Sequence, residues 1–399
     1  MSRIKTDILI SGGGVAGLTA AAVFGAAGFR VICVDPAPPI TSEADPQADL
    51  RTTAFLQPAR ALLDEAGLWT RLAPHAAPLQ IMRIIDAGGK TPEPRVIRDF
   101  DAAEISDQPF GWNLPNWLLR REMTARIGEL ETVDFRPGTA TVGVLPRLSE
   151  AVVTLSDGTR VSARLLIAAD GRDSPVRAAL GIPATTIRYG QKALAFAVTH
   201  PIPHENVSIE IHRSGGPFTL VPLPDRNGRP CSAVVWMERG PEALRLQKLP
   251  HAEFEAAMSA RSAHVLGPLE LVTRRSLWPI ISQHAARMTG ERTALMAEAA
   301  HVVPPIGAQG LNMSLGDLRV LLELARAHPD ELGERAMLDT YHRRRYPEVR
   351  LRLAGIDMLN RTSMIAARPL RDLRAAALNA LCATAPVRRA LMRAGLGMR

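Results

Sequence analysis

The strongest constraint on the fold lies in residues 6–36. Residues 7–11 read as a short apolar strand that runs straight into Gly12-Gly13-Gly14-Val15-Ala16-Gly17. Residues 18–28 read as an alanine-rich helix, and residues 29–34 as a second apolar strand closed by Asp35. Strand, glycine turn, helix, strand and acid in this order suit a dinucleotide ligand. Gly12 permits the tight turn out of the strand. Gly14 lets backbone approach a pyrophosphate, since no Cβ stands in the way. Gly17 lets the helix lie close to the strand. The helix N-terminus offers free N–H groups and the positive end of its dipole. Asp35 is placed to accept hydrogen bonds from an adenosine ribose. An ordinary glycine-rich turn would explain the glycines but not the agreement of strand, helix and acid.

Two further segments carry signals of the same kind. Residues 164–169 read as a buried strand ending in Asp170-Gly171, followed by a helix start with Ser174 and Arg177 on one face. An acid at the C-terminal end of such a strand faces the ligand crevice; the competing reading is an N-cap Asp with a salt-bridging Arg. Residues 292–301 repeat the pattern, a strand leading to Glu298 and His301. A Pro- and Gly-rich loop follows, with Pro304, Pro305 and Gly307 to Asn312, then a helix to about residue 327. Its N-terminus can stabilise negative charge. His301 is a candidate base, although a packed, hydrogen-bonded histidine is the favoured reading. Arg51 lies near the nucleotide strand; spacing alone does not choose between a ligand contact and a surface arginine.

The 399 residues suit two or three domains or one large domain with insertions. Aromatic residues make up 4%, so the core must be mostly Leu, Ala, Val and Ile. Cys33, Cys231 and Cys382 have no metal-ligand or redox spacing, so reduced thiols and no metal site are expected. The net charge is +8, yet no nucleic-acid motif and no basic stripe with interleaved aromatics accompanies it, so nucleic acid is not an expected partner. Arg3 and Lys5 precede only a strand-length apolar run, so no signal peptide is expected, and no run reaches membrane-spanning length.

Residues 57–66 read as a helix, 79–85 as a strand with a hairpin turn at 86–90, and 113–129 as a helix. Short strands are expected at 134–137, 151–155 and 160–162. Residues 193–276 alternate in period two, as in an antiparallel sheet with one covered face. Strands are expected there at 207–212, 218–222, 231–237 and 269–277, and a helix at 252–261. Residues 336–399 read as helical. The basic amphipathic stretches 370–381 and 387–392 suit a membrane surface or a partner helix. A helix packed on its own protein with a solvated arginine face fits them equally.

The three signals in this order resemble the flavoprotein aromatic hydroxylases, single-component FAD monooxygenases with the para-hydroxybenzoate hydroxylase fold, over nearly the full chain. The finer resemblance is to the ubiquinone-biosynthesis hydroxylases. It is carried by Asp49-Leu50-Arg51, Ala66-Gly67-Leu68-Trp69, Trp278-Pro279-Ile280, residues 305–312 and the tail from Arg368 to Gly397. The resemblance implies an α/β fold: a Rossmann-type FAD-binding domain with an antiparallel β-sheet substrate domain and C-terminal helices. The FAD-binding domain would take residues 1–77, 112–178 and 277–330, the substrate domain 78–111 and 179–276, and the helical region 331–399. By the same resemblance Gly12, Gly14, Gly17 and Asp35 would hold the ADP half of FAD. Arg51 and Arg120 would lie near pyrophosphate and ribityl, with Arg120 open against Arg121. Asp170 and Gly171 would serve FAD and NAD(P)H, Glu298 the ribityl chain, and Pro305, Gly310, Leu311 and Asn312 the isoalloxazine. The sequence departs from the family at Ala297-Glu298, where Gly-Asp is usual, at Pro304, where His is frequent, and at Gly307-Ala308.

The implied reaction is reduction of FAD by NAD(P)H, formation of a flavin C4a-hydroperoxide with dioxygen, and electrophilic attack on a phenol ring. The flavin carries this chemistry, which leaves His301 as a minor candidate among side chains. A polyprenylated aromatic substrate would be membrane-borne. This implies a cytoplasmic protein with peripheral inner-membrane contact, or a place in a biosynthetic complex, through the C-terminal helices. The competing functions are hydroxylation of a soluble aromatic, or a non-catalytic flavoprotein that assembles a complex. A simple NAD-binding dehydrogenase accounts only for the first motif.

Overall fold

The computed structural model describes residues 3–365 except 90, 92 and 214, together with residues 372 and 384–397. The stretch 370–381 apart from Asp372, the start of the tail at Arg368 and Cys382 lie outside the described residues. Two large sheets share the chain. In the eight-stranded sheet the order is Thr289–Gly290, Thr293–Leu295, Arg160–Ala168, Arg3–Ser11, Val31–Asp35, Val133–Pro137, with Thr141–Pro146 and Ala151–Leu155 added beside Arg160–Ala168. The strands from Thr293–Leu295 to Val133–Pro137 run parallel. Three loops therefore leave the sheet at one edge: Gly12–Gly17, Asp170–Gly171 and Ala297–Glu298. That edge is where α/β sheets bind ligands.

The helix Val15–Ala26 follows the first strand, and Gly17 to Gly25 are all buried along it. Alanine and glycine let it lie between the sheet and the helices Asn116–Gly128 and Gln309–Ala327. Ile8, Leu9, Ile10, Leu165, Leu166 and Ile167 are fully buried, as expected of strands covered on both faces.

The nine-stranded sheet runs His301–Val302, Ser276–Ala285, Ala184–Thr199, Arg229–Arg239, Pro217–Arg226, Val207–His212, Ile81–Asp86, Val96–Asp101, with Glu270–Leu271 added beside Ala184–Thr199. One face carries Leu194, Phe196, Val198 and Trp236, packed on Phe254 and Leu246 of the helices His251–Arg261 and Gly240–Lys248. The other face carries Ala193 and Met237 into the main core. A small sheet of Thr52–Leu56, Ala77–Leu79 and Gly111–Pro115 joins the two halves.

Several expectations change. Residues 160–162 and 164–169 form one strand, Arg160–Ala168, because its whole length pairs with Arg3–Ser11. The turn expected at 86–90 is a longer connection over 87–95, closed by Arg95, whose Nη2 lies 2.6 Å from Oδ1 of the buried Asp86. The strand expected at 269–277 is split into Glu270–Leu271 and Ser276–Ala285. Between them the Arg275 side chain donates to the carbonyls of Leu246 and Leu249, and the Thr273 hydroxyl accepts from the Ala197 N–H. Ser276–Ala285 pairs along Ala184–Thr199, on both sides of a bulge. Residues 277–285 thus lie in the nine-stranded sheet.

Cys33 and Cys231 are buried free thiols. Burial pushes the Cys231 thiol up to about 11 and the Cys33 thiol higher still, so neither is a ready nucleophile.

Candidate nucleotide cleft

The glycine loop is built from close approaches. Gly12 has φ +110°, and a Cβ there would lie 2.3 Å from the Ala169 carbonyl oxygen. A Cβ at Gly17 would lie 1.8 Å from the Gly12 oxygen. Both glycines are demanded by the protein's own backbone. Gly14 differs: nothing lies within 4 Å of a Cβ placed there. Gly14 is the N-cap of Val15–Ala26, with no side-chain cap and no acid in the first turn. The amides of that turn are open to an anion. Asp35 Oδ2 accepts from the Gly13 N–H at 2.6 Å, and Oδ1 from the Ala37 N–H at 2.9 Å. The acid thus holds the loop to the strand end, and each oxygen keeps a further lone pair for a ligand hydroxyl.

Ser174, not Asp170, caps the helix Pro175–Ala179 by accepting from the Arg177 N–H. Arg177 does not bridge to Asp170; it donates to the carbonyl oxygens of Ala299 at 2.8 Å and Arg172 at 2.7 Å, stitching this loop to the Glu298 loop. Asp170 Oδ2 accepts from the Val176 N–H at 3.1 Å, whereas Oδ1 is buried without a partner among the described residues. Burial pushes this carboxyl above its usual range. Gly171, at φ +87°, has open space around it.

Glu298 follows Ala297, which takes the left-handed φ of +54°. Its side chain is about half exposed and lies 3.3 Å from the Arg172 guanidinium. Arg51 forms a fork with Asp49, Nε to Oδ1 at 2.8 Å and Nη2 to Oδ2 at 2.7 Å, and its guanidinium sits 4.1 Å over the Trp278 ring. Burial alone would raise the Asp49 carboxyl; Arg51 and a hydrogen bond from Asn116 outweigh it and hold the pKa below the usual range. Arg120, on Asn116–Gly128, keeps a buried Nε without a partner among the described residues. Arg121 pairs with Glu122 at 2.8 Å.

The last loop delivers a second open helix start. Gln309–Ala327 has no side-chain cap and no acid in its first turn, and its N-cap Ala308 has φ +55°. Pro305 and Gly310 are exposed and Leu311 half-buried. Asn312 turns its amide to protein: it accepts from the Leu56 N–H and donates to the carbonyls of Ala54 and Ala308. Its side chain fixes the helix to the strand Thr52–Leu56 and leaves ligand contact to the backbone. His301 is sealed, with its side chain 1% exposed and Nε2 2.6 Å from Asp317 Oδ2. Asp317 Oδ1 accepts from Arg345 Nε at 2.8 Å. His301 is thus packed and hydrogen-bonded, with its Nδ1 buried without a partner among the described residues.

Sequence reasoning missed Asp49, Asn116 and Arg172 as parts of this arrangement. The charge pair two residues apart at Asp49 and Arg51 was a readable signal; the reach of Asn116 across the fold was not. Two helix starts without side-chain caps and a Gly14 with nothing within 4 Å of its Cβ position are open here, while Arg120 Nε and Asp170 Oδ1 are buried without a partner among the described residues.

Residues 5–353 match the family described as FAD binding domain. The chain is 32% identical to the ubiquinone hydroxylase UbiL of Rhodospirillum rubrum, over 98% of this chain and 89% of that one. It is 24% identical to the 3-demethoxyubiquinol 3-hydroxylase of Escherichia coli, over 100% of both. The p-nitrophenol 4-monooxygenase PnpA from Pseudomonas putida DLL-E4 superposes with a TM-score of 0.80 over 100% of both chains at 20% identity. The Diels-Alderase PyrE3 superposes at 0.75, covering 99% of this chain and 81% of that one at 22% identity, so the fold by itself does not fix the reaction. With the glycine loop, the Asp170 loop and the family match in agreement, the chain belongs to the FAD-binding family of flavoprotein monooxygenases.

Proposed function

We propose that this protein hydroxylates the ring of a polyprenyl phenol in ubiquinone biosynthesis, with NAD(P)H as electron donor and dioxygen as oxidant. The observation that carries the reading is the convergence of three loops, at Gly12, Asp170 and Glu298, on one edge of a parallel sheet, in a chain similar throughout to ubiquinone hydroxylases.

In this reading the amides at Gly14 and the first turn of Val15–Ala26 receive the pyrophosphate, and Gly12 and Gly17 shape the loop that presents them. Asp35 takes a ribose hydroxyl. The Arg120 Nε answers a phosphate or ribityl oxygen, and Asp170 Oδ1 accepts from a cofactor hydroxyl. Gly171 leaves the backbone clear beside it. Arg51, locked by Asp49 and stacked on Trp278, sets a fixed positive charge at the wall. Glu298 serves the ribityl chain, with its loop steadied by Arg172 and its charge felt by Arg51. The start of Gln309–Ala327, with Pro305, Gly310, Leu311 and the backbone of Asn312, lies along the isoalloxazine, where its amides favour negative charge. FAD, when bound, supplies hydride acceptance and oxygen transfer.

The substrate ring lies between this cleft and the nine-stranded sheet. The sheet face turned toward the main core carries small side chains in register, Ala195 opposite Val235 and Ala197 opposite Ala233, which leave room for it. The two halves of the chain then act as cofactor-binding and substrate-binding parts. A polyprenyl tail is delivered from a bilayer or a lipid-carrying complex, which brings the C-terminal helices to one of them at the inner membrane.

The test is the visible spectrum of the purified protein, followed by bleaching with NADPH with and without a polyprenyl phenol. A bound flavin that bleaches faster with the phenol supports the reading. A colourless protein that FAD does not reconstitute contradicts it.

A further inference from the structure

Val207, Ile209 and Ile211 turn one side of the strand Val207–His212 into the core that holds Phe254 and Leu246. Side chains alternate along a strand, so Glu210 and His212 turn to the opposite side. That is the side on which Ala193 and Met237 join the main core. The register crosses it from Glu210 to Thr219, from Thr219 to Val235 and from Val235 to Ala195. Val235 packs against the main core. A Cβ on Gly216 would lie 2.8 Å from the Met237 Cβ, so the turn after His212 closes onto the same place.

Glu210 and His212 form a titratable pair in this face. Their side chains are 9% and 16% exposed, and His212 Nε2 lies 2.7 Å from Glu210 Oε1. An ionised carboxylate only accepts, so in the neutral imidazole Nε2 carries the hydrogen and Nδ1 keeps a free lone pair. Nδ1 is buried and has no partner among the described residues. A buried acceptor without a donor is unfavourable, and a donor that arrives with a ligand removes the penalty. The surrounding charges have other contacts. Asp86, in register with His212, takes Arg95 at 2.6 Å, and Arg95 also pairs with Asp372. The Glu238 carboxylate lies against Gly215, and Arg261 donates to the carbonyls of Ile211 and Gly216.

We infer that Glu210 and His212 are the base that ionises the substrate phenol, and this rests on the polyprenyl-phenol reading above. His212 touches the hydroxyl, and Glu210 is a positioning residue that fixes the imidazole. Neighbouring strands lie about 4.8 Å apart, so the pair stands roughly 10 Å from Val235, a span that a phenol seated over Thr219 and Val235 bridges. In the step, the phenol O–H bond breaks, its electron pair stays on oxygen, and the proton bonds to Nδ1. Nε2 keeps its own proton toward Glu210, whose carboxylate offsets the imidazolium charge. No oxidant or reductant enters this step. A phenolate carries more electron density on its ring carbons than a phenol does, which suits electrophilic attack by oxygen. The proton passes to water after the product forms.

The test uses the full-length holoprotein and a 4-nitrophenol with one prenyl unit ortho to its hydroxyl, whose absorbance distinguishes phenolate from phenol. At a pH about one unit below the probe's own pKa in water, the wild-type protein should bind it mainly as phenolate. Glu210→Gln and His212→Asn should each lower the bound phenolate-to-phenol ratio roughly tenfold or more. The melting temperature of each variant is read alongside, and if one variant does not fold the other carries the comparison. A lowered melting temperature with an unchanged ratio shows a purely structural pair and overturns the proposal. So does a wild-type protein that binds the probe as neutral phenol, or does not bind it. Phenolate binding that the variants abolish, in a protein that hydroxylates no phenol, supports the pair and counts against the hydroxylase reading alone.

Discussion

The Gly12 carbonyl oxygen sits where a Cβ on Gly17 would approach it to 1.8 Å, so the turn and the helix it opens are locked by backbone contact. Gly14, between them, touches nothing. The two positions separate folding from cofactor binding. Gly17→Ala is expected to destabilise the protein by about 1–3 kcal/mol through overpacking and to deplete its flavin. Gly14→Ala is expected to keep the apoprotein's melting temperature while raising the FAD Kd roughly tenfold, about 1.4 kcal/mol. Differential scanning fluorimetry with FAD titration reads both. Equal stability loss at the two sites would contradict this division.

Arg120 and Arg121 make a second matched pair. Arg121 is already paired with Glu122, whereas Arg120 holds a buried Nε without a partner among the described residues. Arg120→Ala should weaken FAD by roughly 1.5–3 kcal/mol, the scale of a hydrogen bond to a charged group. Arg121→Ala should leave it within a few-fold. Fluorescence titration of the apoprotein decides between them, and a larger effect at Arg121 would reverse the assignment.

Asp317 links His301 and Arg345 in the core. Burial alone would raise its carboxyl; His301 and Arg345 outweigh it and hold the folded pKa below the usual value. The stability this contributes is present above the unfolded pKa near ~3.9 and is lost as pH falls through the folded pKa. Asp317→Asn should cost roughly 1.5–3 kcal/mol at neutral pH, since it removes the charge that His301 and Arg345 share and leaves Arg345 to its pair with Glu348. It should also flatten the acid limb of stability against pH. Urea unfolding across the acid range checks both, and an unchanged acid limb would contradict the account.

Ala297 and Ala308 hold left-handed backbone, φ +54° and +55°, a conformation that costs an L-residue about 1–2 kcal/mol. Ala308→Gly, where the methyl group is only half-buried, should relieve it, offset by the entropy glycine adds to the unfolded chain, for a net gain of up to about 1 kcal/mol. The melting temperature should rise slightly. A clear fall would show that the methyl group is packed.

These positions also show what the sequence made legible. The first strand, turn and helix were readable because their glycines answer backbone geometry within a few residues. The strand ends at Asp170 and Glu298 were readable by the same logic. The partners of Arg177 were not, since Ala299 is 122 residues away. Nor was the break at residues 272–275, which depends on side-chain contacts to a helix and a neighbouring strand. The pairing of Glu298 with Arg172 also escaped the sequence, because the two residues lie 126 positions apart.

The most direct measurement is turnover of a polyprenyl phenol with NAD(P)H under isotopically labelled dioxygen, with mass spectrometry of the product. The account predicts a phenol heavier by one labelled oxygen atom, formed in step with NAD(P)H oxidation. Oxidation of NAD(P)H that yields hydrogen peroxide and leaves every phenol unchanged would contradict it.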